Sequence, residues 1–336
     1  MSQPRVAIVG AGLTGLSIAR QLFGQKMDIT LFDKSRGVSG RMATRRLTLT
    51  QQTLRFDHGV PGLNSDQAEA LAALAEPTDP PLDALLPRGA NTPPDTTAAK
   101  QRLRTVPGGV NQIGKWLAGG LDVQLQATVA SAHQQAVGAP WRLSLAENTP
   151  YPDAFDLLVL TTPPHQAANI LTTNGSPLMS NLIAAELIAL KPQGCWTAMW
   201  VTSTQLTGPV LVHPNSEIVE RIICEHQKGR DCGDLGVYTL QAHRSWSQQR
   251  IDTDPGQVGA ELQQEIESGS LTLGHIMHQQ MHRWLYAGVQ EPLGRPCLVD
   301  RSRKLICAGD WCLGNDIDSA LSSAAAAVAE IRQMIC

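Results

Sequence analysis

Residues 5–34 read RVAIVGAGLTGLSIARQLFGQKMDITLFDK. The stretch opens on Val6-Ala7-Ile8-Val9, a short β-branched run suited to a parallel strand buried on both faces. Gly10, Gly12 and Gly15 follow as G-x-G-x-x-G, and Leu16, Ile18, Ala19 and Leu22 then recur at helical spacing. A second strand, Asp28 to Phe32, ends on Asp33. Strand, glycine turn, helix and strand together predict a Rossmann-type βαβ unit.

Each glycine has a physical task. Gly10 turns the chain out of the strand, Gly12 lets a diphosphate approach the backbone, and Gly15 lets the helix lie close to the sheet. Ala11, Leu13 and Thr14 complete the turn, whose free N–H groups and positive helix end face phosphate. Asp33 stands where a carboxylate accepts hydrogen bonds from an adenosine ribose, with Lys34 and Ser35 beside it. Ser35 to Arg46, SRGVSGRMATRR, then offers a second phosphate contact: Gly40 allows close approach, Arg41 supplies charge, and Met42 follows.

Composition narrows the classes of function. The chain has 336 residues and a formal net charge of -3, which gives no broad electrostatic reason for a nucleic-acid or anionic-membrane partner. Seven cysteines without C-x-x-C suggest neither a disulfide framework nor a zinc site, and read as reduced thiols of a cytoplasmic protein. The first strand begins within about five residues of Met1, which argues against a secretory signal, and no run approaches the ~20 apolar residues of a membrane span.

Along the chain, Leu47 to Thr50 and Thr53 to Phe56 alternate around Gln51-Gln52 as a hairpin leading to Asp57-His58-Gly59. A helix over 66–75 precedes a Pro-rich connection, Glu76 to Thr97, with Pro80-Pro81 and Pro93-Pro94. A helix over 110–117, one strand within 121–132 ending near Val129, and a strand over 141–145 follow. Phe155 to Leu160 reads as one continuous buried strand stopped at Thr161-Thr162-Pro163-Pro164, and residues 165–171 as a helix. Helices over 180–190 and 254–267 and strands over 196–201, 210–212, 218–224 and 236–242 predict a second, mixed-sheet part. Leu305 to Cys307 is an apolar strand ending in Gly309-Asp310. Ile317-Asp318-Ser319 starts a helix, continued by the small residues of Ala320 to Ala327.

The G-R-M element after the acid looks like a flavoprotein pattern and points to FAD rather than NAD. Val9 to Gly15, Phe32 to Ser35, Ser39 to Arg45, Phe56 to Gly59, Val106-Pro107-Gly108-Gly109-Val110, His282 to Ala287 and Cys307 to Trp311 resemble the renalase-like branch of the FAD-dependent amine oxidase superfamily. The resemblance implies an α/β fold with an α+β second part. A Rossmann-type FAD-binding domain (1–62, 104–172 and 296–336) would carry an inserted mixed-sheet substrate domain (63–103 and 173–295), as in amine oxidases and p-hydroxybenzoate hydroxylase.

It further implies noncovalent FAD, held at the first glycine turn, at His58, Gly59 and Val60, at Val129 and Thr161, by Asp310 on the ribityl chain, and by the helix start at Ile317, Asp318 and Ser319. The implied substrate is a small molecule, with isomers of reduced NAD(P) as first choice and O2 or another acceptor reoxidising the flavin. Three positions depart from the family. Val60-Pro61-Gly62-Leu63 replaces a Gln/Tyr-bearing segment, Gln241 stands for a His, and Leu285 stands for an Arg. Gln241, His243 and Trp284 are therefore the candidate catalytic residues. Oxidation of a small amine, with Trp196, Trp200, Tyr238, Trp246, Trp284 and Tyr286 as cage candidates, and a non-catalytic FAD-bearing redox sensor are the rival readings.

Overall fold

The buried β-branched run becomes the centre of a six-stranded sheet. In the computed structural model, which describes residues 3–49, 51–76, 79–86, 103–172, 181–269 and 271–335, β1 (Arg5–Val9) pairs in parallel with β2 (Asp28–Phe32) on one side. On its other side it pairs with β9 (Leu157–Leu160). The sheet order is β15-β16-β9-β1-β2-β5, with β5 (Asp122–Gln124), β15 (Leu298–Asp300) and β16 (Leu305–Cys307) completing it. Only β15 runs antiparallel to its neighbour. Val6, Ala7 and Ile8 are fully buried, as their two-sided apolar pattern demands.

Contacts divide the chain into two units: Met1–Gly40, Gly114–Pro192 and Gly288–Cys336, and Arg41–Ile113 and Gln193–Ala287. This differs from the sequence expectation at all four joins. The hairpin of β3 (Thr44–Leu49) and β4 (Gln52–Asp57) goes with the second unit, because Leu54 and Phe56 pack on Met199, Val201 and Val237. Residues 288–295 go with the first.

The first unit adds a three-stranded sheet of β6 (Val129–His133), β7 (Trp141–Leu145) and β8 (Pro150–Phe155). Two expectations are corrected here. The run 121–132 is two strands in different sheets, parted at Gln126, whose φ is 55°. Phe155 to Leu160 is likewise divided at Asp156, whose carboxylate accepts the Arg5 N–H and whose own N–H donates to the Arg5 carbonyl, both at 2.8 Å. Helices α1 (Leu13–Leu22) and α8 (Ile317–Ile335) are tied where Thr14 Oγ1 donates to the Ala320 carbonyl. Helices α4 (Pro164–Thr172) and α5 (Asn181–Ala189) also belong to this unit.

The second unit is a five-stranded sheet ordered β11-β12-β13-β10-β14. Its strands are β10 (Pro192–Thr202), β11 (Leu211–Val212), β12 (Val219–Cys224), β13 (Gly236–Ala242) and β14 (Ile276–Val289). The fourteen-residue β14 is absent from the sequence reading, since its burial does not alternate cleanly. One sheet face receives α7 (Pro255–Ser268) through Val258, Leu262 and Ile266. Asp254 caps α7 by accepting from the Gly256 and Gln257 N–H groups. The unit also carries α2 (Ser65–Ala72), shorter than expected and opened by an Asn64/Gln67 capping box. Helix α3 (Asn111–Leu117) spans the join, and α6 (Arg244–Gln249) follows β13. The Pro-rich connection and the start of the 180–190 helix fall outside the described residues over 77–78, 87–97 and Ser180.

No helix among the described residues is long and apolar enough to cross a membrane. Likewise, no group of three or more His, Cys, Asp or Glu among them is placed to hold a metal. Cys195, Cys224, Cys232, Cys297, Cys307 and Cys312 are free thiols, and burial raises the pKa of each.

Candidate functional site

In the first unit the chain leaves β1 at Gly10, whose φ of 114° is closed to L side chains. A Cβ there would stand 2.6 Å from Thr161 Oγ1, which itself donates to the Gly10 carbonyl at 2.9 Å. A Cβ on Gly15 would stand 2.0 Å from the Gly10 oxygen, so the helix packs at this distance only with glycine. Helix α1 begins after Gly12 with no side-chain cap and no acid in its first turn. Its leading N–H groups thus keep the positive helix end open to an anion.

The second glycine element lies against this turn. Ser39 donates its N–H to the Ala11 carbonyl at 2.9 Å, and Gly40, with φ 55°, would place a Cβ 3.2 Å from the Gly12 Cα. Asp33 is bound from within: one carboxylate oxygen accepts the Ala11 N–H and the other the Ser35 N–H, both at 2.8 Å. Each oxygen retains a lone pair for a ribose hydroxyl. The Ala127 N–H bonds the Asp33 carbonyl, which carries the chain towards Val129, a buried core residue, whereas Lys34 is exposed. This set of backbone donors, two apposed glycines and a fixed carboxylate fits a dinucleotide diphosphate and ribose.

At the other end of the unit, Gly309 donates its N–H to Ser323 Oγ, whose hydroxyl in turn donates a hydrogen bond to the Pro296 carbonyl. Asp310 is buried, and its carbonyl accepts the Leu313 and Gly314 N–H groups. The start of α8 is not bare. The Ser319 N–H is taken by Asp316 at 2.8 Å and Asp318 adds a second acid, so the dipole expected there at Ile317 is already answered by carboxylates.

The second unit holds a group that sequence reasoning missed. Asp57, Glu225, Lys228 and Arg230 are all buried and mutually bonded. Glu225 Oε1 accepts the Asp57 N–H at 2.8 Å and the Thr239 hydroxyl at 2.7 Å, while Asp57 Oδ1 accepts from Thr44 Oγ1 and the Val110 N–H. Arg230 also donates to the carbonyls of Arg55, Val106 and Pro107. Burial alone would raise the Asp57 pKa, yet the Lys228 and Arg230 charges and the hydrogen bonds hold it down to about 2.

This quartet delivers the chain into His58-Gly59, which is braced on several sides. Gln241 Nε2 donates to the Gly59 carbonyl at 2.6 Å and the His58 carbonyl at 3.2 Å, and its oxygen accepts from Arg221 Nε at 2.6 Å. Trp284 Nε1 donates to the same His58 carbonyl at 3.0 Å. Val60 donates its N–H to the Arg41 carbonyl, and Arg41 in turn donates to the Ala287 carbonyl at 2.8 Å. Met42 is buried. Gln241 and Trp284 therefore brace the backbone through the polar groups that would otherwise serve chemistry, and His243 Nε2 pairs with the Ser216 carbonyl. Leu285 is 46% exposed.

Three rings meet here. His58 and Trp284 stack with centroids 5.1 Å apart and planes at 21°, and His282 stands edge-on to both, at 4.8 and 4.4 Å. Burial, aided by the nearby Arg45 charge, lowers both histidines to about 4, so each is neutral near pH 7. His58 is 5% exposed, and its Nδ1 has no hydrogen-bond partner among the described residues. His282 is the site residue the sequence reading left without a role.

Residues 8–77 match the NAD(P)-binding Rossmann-like domain family. Over nearly the whole chain the fold is similar to that of a proposed protoporphyrinogen oxidase from Exiguobacterium sp. 255-15, at 15% identity and TM-score 0.64, covering 99% of each chain. It is also similar to a putrescine oxidase with putrescine bound, at 13% identity and TM-score 0.62, covering 98% of this chain and 99% of that one. A variant of putrescine oxidase redesigned in cofactor binding gives 12% identity and TM-score 0.65. The fold is thus α/β with a Rossmann-like domain and a whole-chain layout shared with amine-oxidase-type enzymes.

Proposed function

We propose that this chain is an FAD-dependent oxidoreductase that accepts a hydride from a small reduced substrate, with O2 or another acceptor taking the electrons onward. The observation that carries this reading is the apposition of Gly40 to Gly12 over the uncapped start of α1. A second glycine element laid against the first suits a diphosphate approached by backbone from two sides. Bound noncovalently, FAD would supply the redox chemistry, which the raised pKa of every described free thiol makes unfavourable for cysteine.

The chain's own tasks follow from its residues. The Gly10–Gly15 turn and Gly40 hold the diphosphate, Asp33 the ribose, and the Gly309-Asp310 bend the ribityl end. The second unit supplies neutral imidazoles and an indole, which can position a flat substrate without moving a proton. Hydride transfer from a dihydronicotinamide needs no acid or base, so isomeric dihydronicotinamide dinucleotides are the first substrate class.

Amine oxidation is the second reading, and the putrescine-bound neighbour gives it weight. Against it, Trp196, Trp200, Tyr238 and Trp246 are packed in the core on the α7 face of the sheet and are not available as a cage. The test is anaerobic mixing of the purified protein with NADH, NADPH, their 2- and 6-dihydro isomers and putrescine while the visible flavin band is followed. Bleaching by the isomers is expected. Bleaching by putrescine alone selects the amine reading, a flavin that nothing reduces points to a non-catalytic sensor, and protein without flavin overturns the proposal.

A further inference from the structure

The sheet of the second unit has a cavity on the face turned away from the ring cluster. Along β10, Trp196, Ala198 and Trp200 pack with α7, whereas Met199 and Val201 pack with the hairpin on the opposite face. Thr197 shares that opposite face by strand alternation, and its register partner Gln241 braces His58 there. On the α7 side a cavity of about 510 Å3 lies between the last turn of α7, the segment that leaves it and the start of β14. A volume of this order takes a small organic ligand. Ile266, Leu271, Leu273 and Ile276 line it with apolar surface, as does Trp200.

Two features of the lining select what would bind. Trp200 is 1% exposed and its Nε1 has no hydrogen-bond partner among the described residues, whereas the indoles of Trp141, Trp196 and Trp284 each donate to a backbone carbonyl. A buried donor left in this way calls for an acceptor. The second feature is charge. Glu267 lines the cavity and is exposed, with one carboxylate oxygen accepting from Gln263 Nε2 at 2.7 Å, and no Lys or Arg is among the lining residues. Helix α7 ends here with no base in its last turn, so the negative end of its dipole adds to the carboxylate. That combination favours a cation and opposes an anion.

We propose that this cavity binds a small organic cation whose apolar chain carries a carbonyl oxygen, the oxygen accepting from Trp200 Nε1 and the cationic head standing by Glu267. The sheet separates such a ligand from His58 and Trp284, so the site is distinct from the one assigned to hydride transfer and does not depend on that reading.

The probe is butyrylcholine, titrated into the purified protein by calorimetry. It is compared with its uncharged isostere, which carries a tert-butyl group in place of the trimethylammonium head, and with heptyltrimethylammonium, which lacks the ester oxygens. Butyrylcholine is expected to bind about fivefold tighter than the isostere, the worth of one partly screened charge pair. Glu267→Gln is expected to remove that preference and Glu265→Gln, on the same helix but outside the lining, to keep it. In the proton–nitrogen correlation spectrum of the parent protein, one indole N–H signal is expected to move with butyrylcholine and far less with heptyltrimethylammonium, and to be missing from Trp200→Phe. Should that variant not fold, Thr272→Lys, at an exposed lining position, is expected to weaken butyrylcholine at least about tenfold by bringing a like charge to the site. Absence of saturable binding, equal affinity for the isostere, a preference that survives Glu267→Gln or falls equally in Glu265→Gln, indole signals that no probe moves, or unchanged binding in Thr272→Lys each overturns the proposal. None of the probes is a reductant, so these failures are distinct from a failure to reduce flavin.

Discussion

The glycine turn of the first unit and the charged centre of the second are built on opposite plans. At Gly10–Gly15 and Gly40 the working groups are backbone N–H donors, and the side chains matter by being absent. Around Asp57 and Glu225 the working groups are four charged side chains, Asp57 from the hairpin and Glu225, Lys228 and Arg230 from one short stretch far along the chain. The first plan fails when an atom is added, the second when one is removed. The costs differ accordingly: an intruding Cβ blocks a ligand, whereas a missing carboxylate strands buried cations.

That contrast can be broken in four places. The largest effect is expected from Glu225→Ala, which leaves Lys228 and Arg230 sharing one acid and the Asp57 N–H unpaired; unfolding in denaturant should show a loss of about 3–5 kcal/mol. A loss below that of any glycine change would overturn the contrast. Next comes acid. His58 and His282, at about 4 in the fold and ~6.5 unfolded, bind protons only after unfolding, so stability falls between pH 6.5 and 4 by up to about 3 kcal/mol for each.

Asp57 works in the same direction at lower pH. Its depressed pKa stabilises the fold above ~4 and that share is lost as pH falls towards 2. A flat stability profile from pH 6.5 to 4 would refute the histidine assignment. Third, Gly40→Ala forces a side chain into φ 55° and costs about 1–2 kcal/mol, yet it should strip bound dinucleotide, measured as flavin per chain. Retained flavin would show that the second glycine is only a turn. Smallest is Asp33→Asn, which keeps an acceptor for the Ala11 N–H; its stability should change by less than about 1 kcal/mol while dinucleotide affinity drops.

The same contrast explains what could be read in advance. The glycine turn was legible because its parts are consecutive: strand, turn, helix and acid lie within residues 5–34 and each constrains the next. The four core strands of the second unit between Trp196 and Ala242 were legible from apolar runs. The quartet was not, because Asp57 and Arg230 are 173 positions apart and a charged residue carries no local mark of burial. Strand β14 escaped for a related reason. It lies at the sheet edge with half-buried residues on both faces, so neither period dominates. Gln241 shows what a residue type leaves out. Its residue type suggested a replaced catalytic group, whereas its hydrogen bonds make it a brace on His58-Gly59.

The quartet also bears on how this lineage can change. Two acids and two bases cancel, and an all-apolar replacement of similar volume could be as stable. Every route to it by single substitutions, however, passes through an intermediate with an uncompensated buried charge. The four positions are therefore held together by the steps between sequences rather than by the merit of the endpoint. Drift should move all of them or none.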